Sequence, residues 1–236
     1  RILPDVDITS VEKLSSKGTD VRISYRSHES DNEKERKVIK EDSISIGLPA
    51  LYNVYNAASA ICAFRAAGLK LNLISSSLAN ISSSFGRMES FHYNNVDIQM
   101  ILVKNPAGCN QSLSYLSSLN EDYVAVFCLN DKTADGHDIS WIWDAEHEKV
   151  AGDPGCRKIY VSGTRAADIR IRLKYAGADP DRIELIYDND KLVDAMTSHS
   201  LPVFILPNYT SMLSMRAYLS SITGKKEFWK DQKKQG

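Results

Sequence analysis

No GxxxxGK[ST] loop occurs anywhere in the chain, so nothing in it can wrap nucleotide phosphates as a P-loop does. If ATP is used, its phosphate cradle lies on other sequence. No CxxC pair occurs either. The cysteines, Cys62, Cys109, Cys128 and Cys156, are far apart and give a metal site no support. Cys62 and Cys128 sit in apolar segments and read as buried free thiols, which suits a reducing compartment. No apolar run approaches the roughly 20 residues a membrane span needs. The formal net charge of −1 leaves no global attraction to nucleic acid or to an anionic membrane. Arg1–Asp7 does not read as a signal peptide; it reads as the middle of a longer sequence. There is no internal repeat, no Ser/His/Asp order and no Cys/His pair in a recognisable context. The histidines, His28, His92, His137, His147 and His199, are scattered, and most are expected on the surface.

What is present is an ordinary globular composition. The 236 residues are 43% hydrophobic and 25% charged, enough for one large or two small domains with a real core. Val21–Tyr25 and Ser43–Leu48 show short strand-like alternation, separated by the polar run Arg26–Lys37, which reads as a solvated hairpin loop. The spacing of Val54, Ala57, Ala58, Ile61 and Phe64 predicts a helix over Asn53–Ala67, with Gly68 ending it. Asn72 can cap a second helix with Leu73, Leu78 and Ile81 as its apolar positions. A domain boundary is placed near Phe85-Gly86-Arg87. Beyond it, strands at Val96–Val103, Tyr123–Leu129, Lys158–Ser162, Ile183–Tyr187 and Pro202–Leu206 alternate with helices near Cys109–Ser118, Thr164–Ala176, Lys191–Ser198 and Thr210–Ile222. That alternation implies α/β architecture with right-handed crossovers and a doubly wound, mostly parallel sheet. The division expected is 1–85, 86–224 and a Lys-rich tail, 225–236, that frays.

The most informative stretch is Asn130–Asp144, which carries Asp131, Asp135, Asp138 and Asp144 with Trp141 and Trp143, directly after the apolar run Val124–Leu129. An acidic loop at the end of a parallel strand is where α/β proteins place their chemistry. A surface turn with the tryptophans tucked into the core is the plain alternative. Three further segments follow predicted strands. Lys104-Asn105-Pro106-Ala107-Gly108 can shape a turn whose helix start holds an anion, or it can simply connect strand to helix. In Ser162-Gly163-Thr164-Arg165, Thr164 reads as an N-cap and Arg165 as a side chain within reach of a phosphate or carboxylate. Pro207-Asn208-Tyr209-Thr210 invites the same two readings.

Several blocks resemble known families. Tyr52-Asn53-Val54-Tyr55-Asn56-Ala57-Ala58-Ser59-Ala60 is similar to the (H/Y)NxxNxxAA helix that closes the central domain of Mur ligases, with Ser59 in place of an Ala. Gly86-Arg87-Met88-Glu89 resembles the GRxE that opens their C-terminal domain, and Lys104-Asn105-Pro106 matches their AHNP turn. More specific are KNPAGxNxSL at 104–113, LND-x-x-ADGxDxSWIWD at 129–144, SGTRAxD at 162–168 and PNYTSM at 207–212. With Pro4-Asp5-Val6-Asp7 near the start, these resemble the MurT family, the Mur-ligase-like subunits of lipid II isoglutaminyl synthase, over nearly all of the chain.

The resemblance implies a concrete function. Such subunits use ATP and Mg2+ to activate the α-carboxylate of D-glutamate in lipid II, and ammonia then gives D-isoglutamine. The ammonia comes from a GatD-type glutaminase, a heterodimer partner with a Cys nucleophile and a His, and the third triad member is supplied in trans. The matching residue here is Asp138, with Asp135 and Asp144 as competitors. Asn53, Asn56, Arg87, Lys104 and Asn105 match nucleotide-site positions. Where Mur ligases carry an acidic residue before the AHNP turn, this chain has Ile101-Leu102-Val103. The resemblance places the P-loop and a four-cysteine zinc ribbon before Arg1. Residues 1–48 are then the last strands of an incomplete central domain, and the chain alone is expected to be inactive. It also implies a cytoplasmic protein acting at the inner face of the membrane. Two other readings remain: an amino-acid ligase of the Mur or folylpolyglutamate type, whose motifs do not include the SWIWD loop, and a docking module with no residue in the chemistry.

Overall fold

The computed structural model describes residues 5–15, 18–26, 39–81 and 87–225. The chain divides into two compact units, Arg1–Ser83 and Ser84–Gly236. In the first, β1 (Val6–Ser15), β2 (Gly18–Arg26) and β3 (Ile39–Ile46) form an antiparallel sheet in that order. Period-2 alternation turns Val21 and Ile23 of β2 and Ile44 and Ile46 of β3 to one face. There they pack against Val54, Ala57 and Ile61 of α1 (Leu51–Ala66) and Ile74 of α2 (Leu71–Ala79). The polar run expected as a hairpin loop lies, apart from Arg26, outside the described residues at 27–37.

α1 ends as its sequence requires. Gly68 takes φ +85, its N–H donates to Arg65 O at 2.9 Å, and the Leu69 N–H donates to Phe64 O at 3.0 Å. That pair of bonds is a Schellman closure, which favours glycine at the left-handed position. Several apolar assignments need correction. Phe64 and Leu73 point to solvent, and Ile81 is exposed, whereas Ile74 is the buried residue of α2. Nor does Asn72 cap that helix. Lys70 occupies the N-cap position, and the Asn72 side chain accepts only from the adjacent Leu73 N–H.

The second unit is built on a six-stranded sheet of order β4-β5-β9-β6-β7-β8. Its strands are β4 (Arg87–Tyr93), β5 (Val96–Ile101), β6 (Tyr123–Cys128), β7 (Cys156–Ser162), β8 (Ile183–Leu185) and β9 (Val203–Pro207). Only the edge strand β4 runs antiparallel. The helices are α3 (Pro106–Ser117), the short α4 (Glu148–Ala151), α5 (Ala166–Tyr175), α6 (Asn189–Thr197) and α7 (Tyr209–Thr223). Leu192, Val193 and Met196 of α6 and Met212, Met215 and Leu219 of α7 cover one face of the sheet. Parallel strands buried on both faces read as unbroken apolar runs, and every residue of β6 and of β9 is buried. This is the doubly wound α/β sheet that the alternation of elements implies. β9 returns to lie between β5 and β6, so the direction of winding reverses at β6/β9. Ligands of open α/β sheets gather at the carboxyl ends of strands at such a point.

β4 enters the sheet through a bulge between Arg87 and Glu89, with Met88 at φ +60 and buried. The bulge brings Glu89 into the interior, where Arg216 of α7 meets it with two hydrogen bonds, 2.9 and 3.1 Å. Both side chains are almost wholly buried, and Lys225 adds a third charge at 3.3 Å. The glutamate of the GRxE block is therefore a clamp between the edge strand and the last helix.

Candidate functional site at the carboxyl edge of the sheet

The loops after β6, β7 and β9 converge and are sewn together by side-chain amides and hydroxyls. Asn208, just past β9, accepts from the Asn130 N–H at 3.1 Å and donates back to Asn130 O at 2.7 Å. The Asn130 carboxamide accepts from the Thr164 N–H (2.9 Å) and donates to Thr210 Oγ1 (2.9 Å). Gly163 has φ +94, and a Cβ there would lie 2.3 Å from Leu129 O. That crossing therefore requires glycine.

This stitching changes two sequence expectations. Thr164 is not an N-cap: Arg165 precedes the first turn of α5, and the Thr164 hydroxyl donates to Asp131 at 2.9 Å. Arg165 is not free to meet a ligand either, because it pairs with Asp131 (3.5 Å) and Asp168 (2.9 Å).

The acidic loop itself folds as two 3-10 turns, Thr133–Asp135 and Ser140–Trp143. Asp135 is committed to the fold. It accepts from the Thr210 N–H at 2.8 Å, the Thr210 hydroxyl at 2.6 Å and the Lys132 N–H at 3.2 Å. It thus caps α7 from 75 residues away, since Asn208 at the N-cap position makes no side-chain cap of its own. Asp135→Ala is expected to lower unfolding stability by about 1–2 kcal/mol, as loss of a helix cap does. Urea unfolding followed by circular dichroism measures it.

Asp138 differs. It is exposed, and its Oδ1 accepts the Ser140 N–H at 2.8 Å. That backbone bond, then the Ser140 hydroxyl, holds the carboxyl below the usual carboxylate range. The result is an ionised, oriented carboxylate facing outward. Asp144 is also exposed; it does not cap α4, where His147 holds the N-cap position.

Neither tryptophan is a core anchor. Trp143 is 51% exposed and Trp141 half-buried; Ile142 between them fills the core. Arg172 of α5, which the sequence reading passed over, fixes this segment. Its buried guanidinium donates to Ile142 O (3.2 Å), Ala145 O (2.7 Å) and Glu148 (2.8 and 3.0 Å). It also lies 5.7 Å from the Trp143 ring.

Nearby His147 is buried, whereas His92, His137 and His199 are exposed, and its Nδ1 lies 3.2 Å from Ala145 O. Burial, then the Arg172 charge, pushes its imidazole from 6.5 down to about 4. Protonation therefore favours the unfolded chain. Stability should be intact above pH 6.5 and fall as pH drops through the window from about 6.5 to about 4, by roughly 3 kcal/mol in all. Chemical denaturation at stepped pH measures the slope, and His147→Asn should flatten it.

The cysteines are all free: Cys109, Cys128 and Cys156 are buried, while Cys62 is only partly so. Burial pushes Cys109 and Cys128 up to about 12 and Cys156 to about 11, so these thiols stay protonated. Among the described residues no cluster of three or more His, Cys, Asp or Glu is placed to hold a metal ion. Among the same residues, no helix is long and apolar enough to cross a membrane.

The five residues expected to hold nucleotide are distributed over both units. In the first, the buried Asn53 donates to Pro49 O at 2.6 Å and accepts from Asn56 at 3.5 Å. In the second, Arg87 opens β4, and Asn105 caps α3 by accepting from the Gly108 N–H at 2.8 Å, with Pro106 in the first turn. Lys104 presents an exposed ammonium. Asn53 and Asn105 thus each spend part of their carboxamide on backbone groups of their own unit.

Residues 102–212 match the model of the family described as MurT ligase C-terminal. The MurT subunit of lipid II isoglutaminyl synthase from Streptococcus pneumoniae is 31% identical over 80% of this chain and 42% of its own length. Its counterpart from Staphylococcus aureus is 34% identical over 77% of the chain and 41% of its own. The chain thus spans less than half the length of these relatives. Among solved structures, MurF from Acinetobacter baumannii superposes with a TM-score of 0.66 at 18% identity, covering 94% of this chain and 46% of that one. Folylpolyglutamate synthase from Mycobacterium tuberculosis, complexed with ADP, gives 0.62 at 14% identity over 91% of this chain and 48% of that one. These likenesses establish the Mur ligase-like fold. The similarity to MurT subunits thus extends over 77–80% of this chain, and within it residues 102–212 match the MurT ligase C-terminal family.

Proposed function

We propose that this chain is the C-terminal part of an ATP-dependent ligase subunit that amidates the D-glutamate α-carboxylate of lipid II to D-isoglutamine. In this reading the second unit docks a GatD-type glutaminase and supplies Asp138 to that partner's Cys–His pair, while the first unit is the end of a Mur ligase central domain. ATP and Mg2+, held by the longer protein, supply the activation of the carboxylate. The work takes place in the cytoplasm, at the membrane face where lipid II is presented.

One observation carries the assignment. Of the competing aspartates, Asp135 is tied to Thr210 as a helix cap, whereas Asp138 is ionised, exposed and oriented by Ser140. A carboxylate of that kind can hold a partner's imidazole in one tautomer and stabilise its charged form. The half-exposed Trp143, five residues on in the same loop, suits an interface, where indole rings often anchor binding. The experiment mixes this chain with the cognate glutaminase and follows both association and glutamine hydrolysis. A heterodimer with raised hydrolysis supports the reading; a mixture that neither associates nor gains activity refutes it.

A further inference from the structure

At the carboxyl edge of the sheet, a cleft of about 520 Å³ opens between the ends of β6 and β7 and the starts of α6 and α7. Its volume falls within the range of small-molecule sites, ~300–1,000 Å³. Its charge is unsuited to an anion: Lys132 stands against Asp188 and Asp190, and the other lining residues are neutral. What dominates is mixed donor and acceptor capacity.

Much of that capacity is already oriented. Asp188 caps α6 by accepting from the Lys191 N–H at 3.0 Å, and Tyr218 donates its hydroxyl to Asp190. Asn189 donates to Ser214 Oγ at 3.4 Å. Each of the two carboxylates keeps further lone pairs to offer. Ser211, in the first turn of α7, lines the cleft but is only 6% exposed, and its hydroxyl has no hydrogen-bond partner in the protein. A buried hydroxyl left unpaired is costly unless something else meets it. Met215 and the Tyr218 ring add an apolar surface, and Tyr187, 65% exposed, stands at the rim.

We infer that this cleft binds a neutral saccharide ring. Each sugar hydroxyl both donates and accepts, so a pyranose can donate to Asp188 and Asp190 and meet the Ser211 hydroxyl, while its C–H face lies on the tyrosine and methionine surface. Phosphates and carboxylates are disfavoured by the two aspartates. The inference is separate from the role of Asp138.

The test is a ¹H–¹⁵N NMR titration of this chain with N-acetylglucosamine and, separately, its β-1,4-linked disaccharide, alongside inorganic phosphate and L-glutamate. Saturable shifts at Asp188, Asn189, Asp190 and Ser211 with either sugar are expected, the monosaccharide reporting a free metabolite and a preference for the disaccharide reporting a glycan. Asp190→Asn and Tyr187→Ala alter exposed residues and should each weaken binding, the first by about tenfold. No saturable shift with either sugar, or saturation by phosphate or glutamate instead, overturns the inference. The titration contains no glutaminase, glutamine or ATP, so its failure leaves the proposed function untouched.

Discussion

Asp138→Asn is expected to lower glutamine hydrolysis by the complex on the order of 10²- to 10⁴-fold, without weakening the complex. The substitution keeps the size of the side chain but offers an amide where the imidazole needs an anion. A Cys–His pair deprived of its carboxylate loses both the correct tautomer and stabilisation of the charged ring. The fold should not respond, because Asp138 is exposed and its oxygen meets the Ser140 N–H within its own turn. Asp144→Asn should leave hydrolysis unchanged, and Asp135→Asn should act through stability, since it disturbs the cap on Thr210. Steady-state kinetics with a fixed excess of each variant, beside urea unfolding of the same samples, separate the three aspartates.

The largest stability effect is expected at Glu89. Removing it leaves the Arg216 guanidinium buried without its bidentate carboxylate. Breaking one side of a buried pair costs about 3–5 kcal/mol. Lys225 cannot compensate, being a second cation near the same site. Glu89→Ala should therefore unfold at much lower urea concentration than wild type. Replacing both partners, Glu89→Met with Arg216→Met, should recover most of the loss, because apolar residues of similar volume avoid the uncompensated charge. Equal loss in the single and double variants would show that packing, not charge, dominates there.

The parallel sheet was legible because β6 and β9 are continuous apolar runs between helical patterns, and the Schellman glycine was legible because only Gly68 could close α1. The edge strand β4 was missed, although Asn94-Asn95 (φ +50 and +59) makes a two-residue hairpin turn that sequence can signal. β1 was missed for a physical reason: most of its residues face solvent, and two register shifts break its alternation. The site was legible only as composition. Which aspartate caps a helix and which faces outward depends on partners such as Thr210, 75 residues away. Thr164 shows the same limit, since a good capping residue was drawn instead to Asp131 from another strand end. Arg172 gave no local signal, because two of its partners are backbone carbonyls that any sequence provides and the third, Glu148, lies 24 residues away.

The most direct measurement is the pKa of the glutaminase's catalytic imidazole, read by ¹³C-histidine NMR in complexes with wild-type and Asp138→Asn chains. A carboxylate within about 4–6 Å favours the protonated ring by ~1–3 units. The account predicts a pKa raised by that amount in the wild-type complex and returned towards the free-subunit value with Asp138→Asn. An imidazole that titrates identically in both complexes, with binding intact, would show that Asp138 is not its partner.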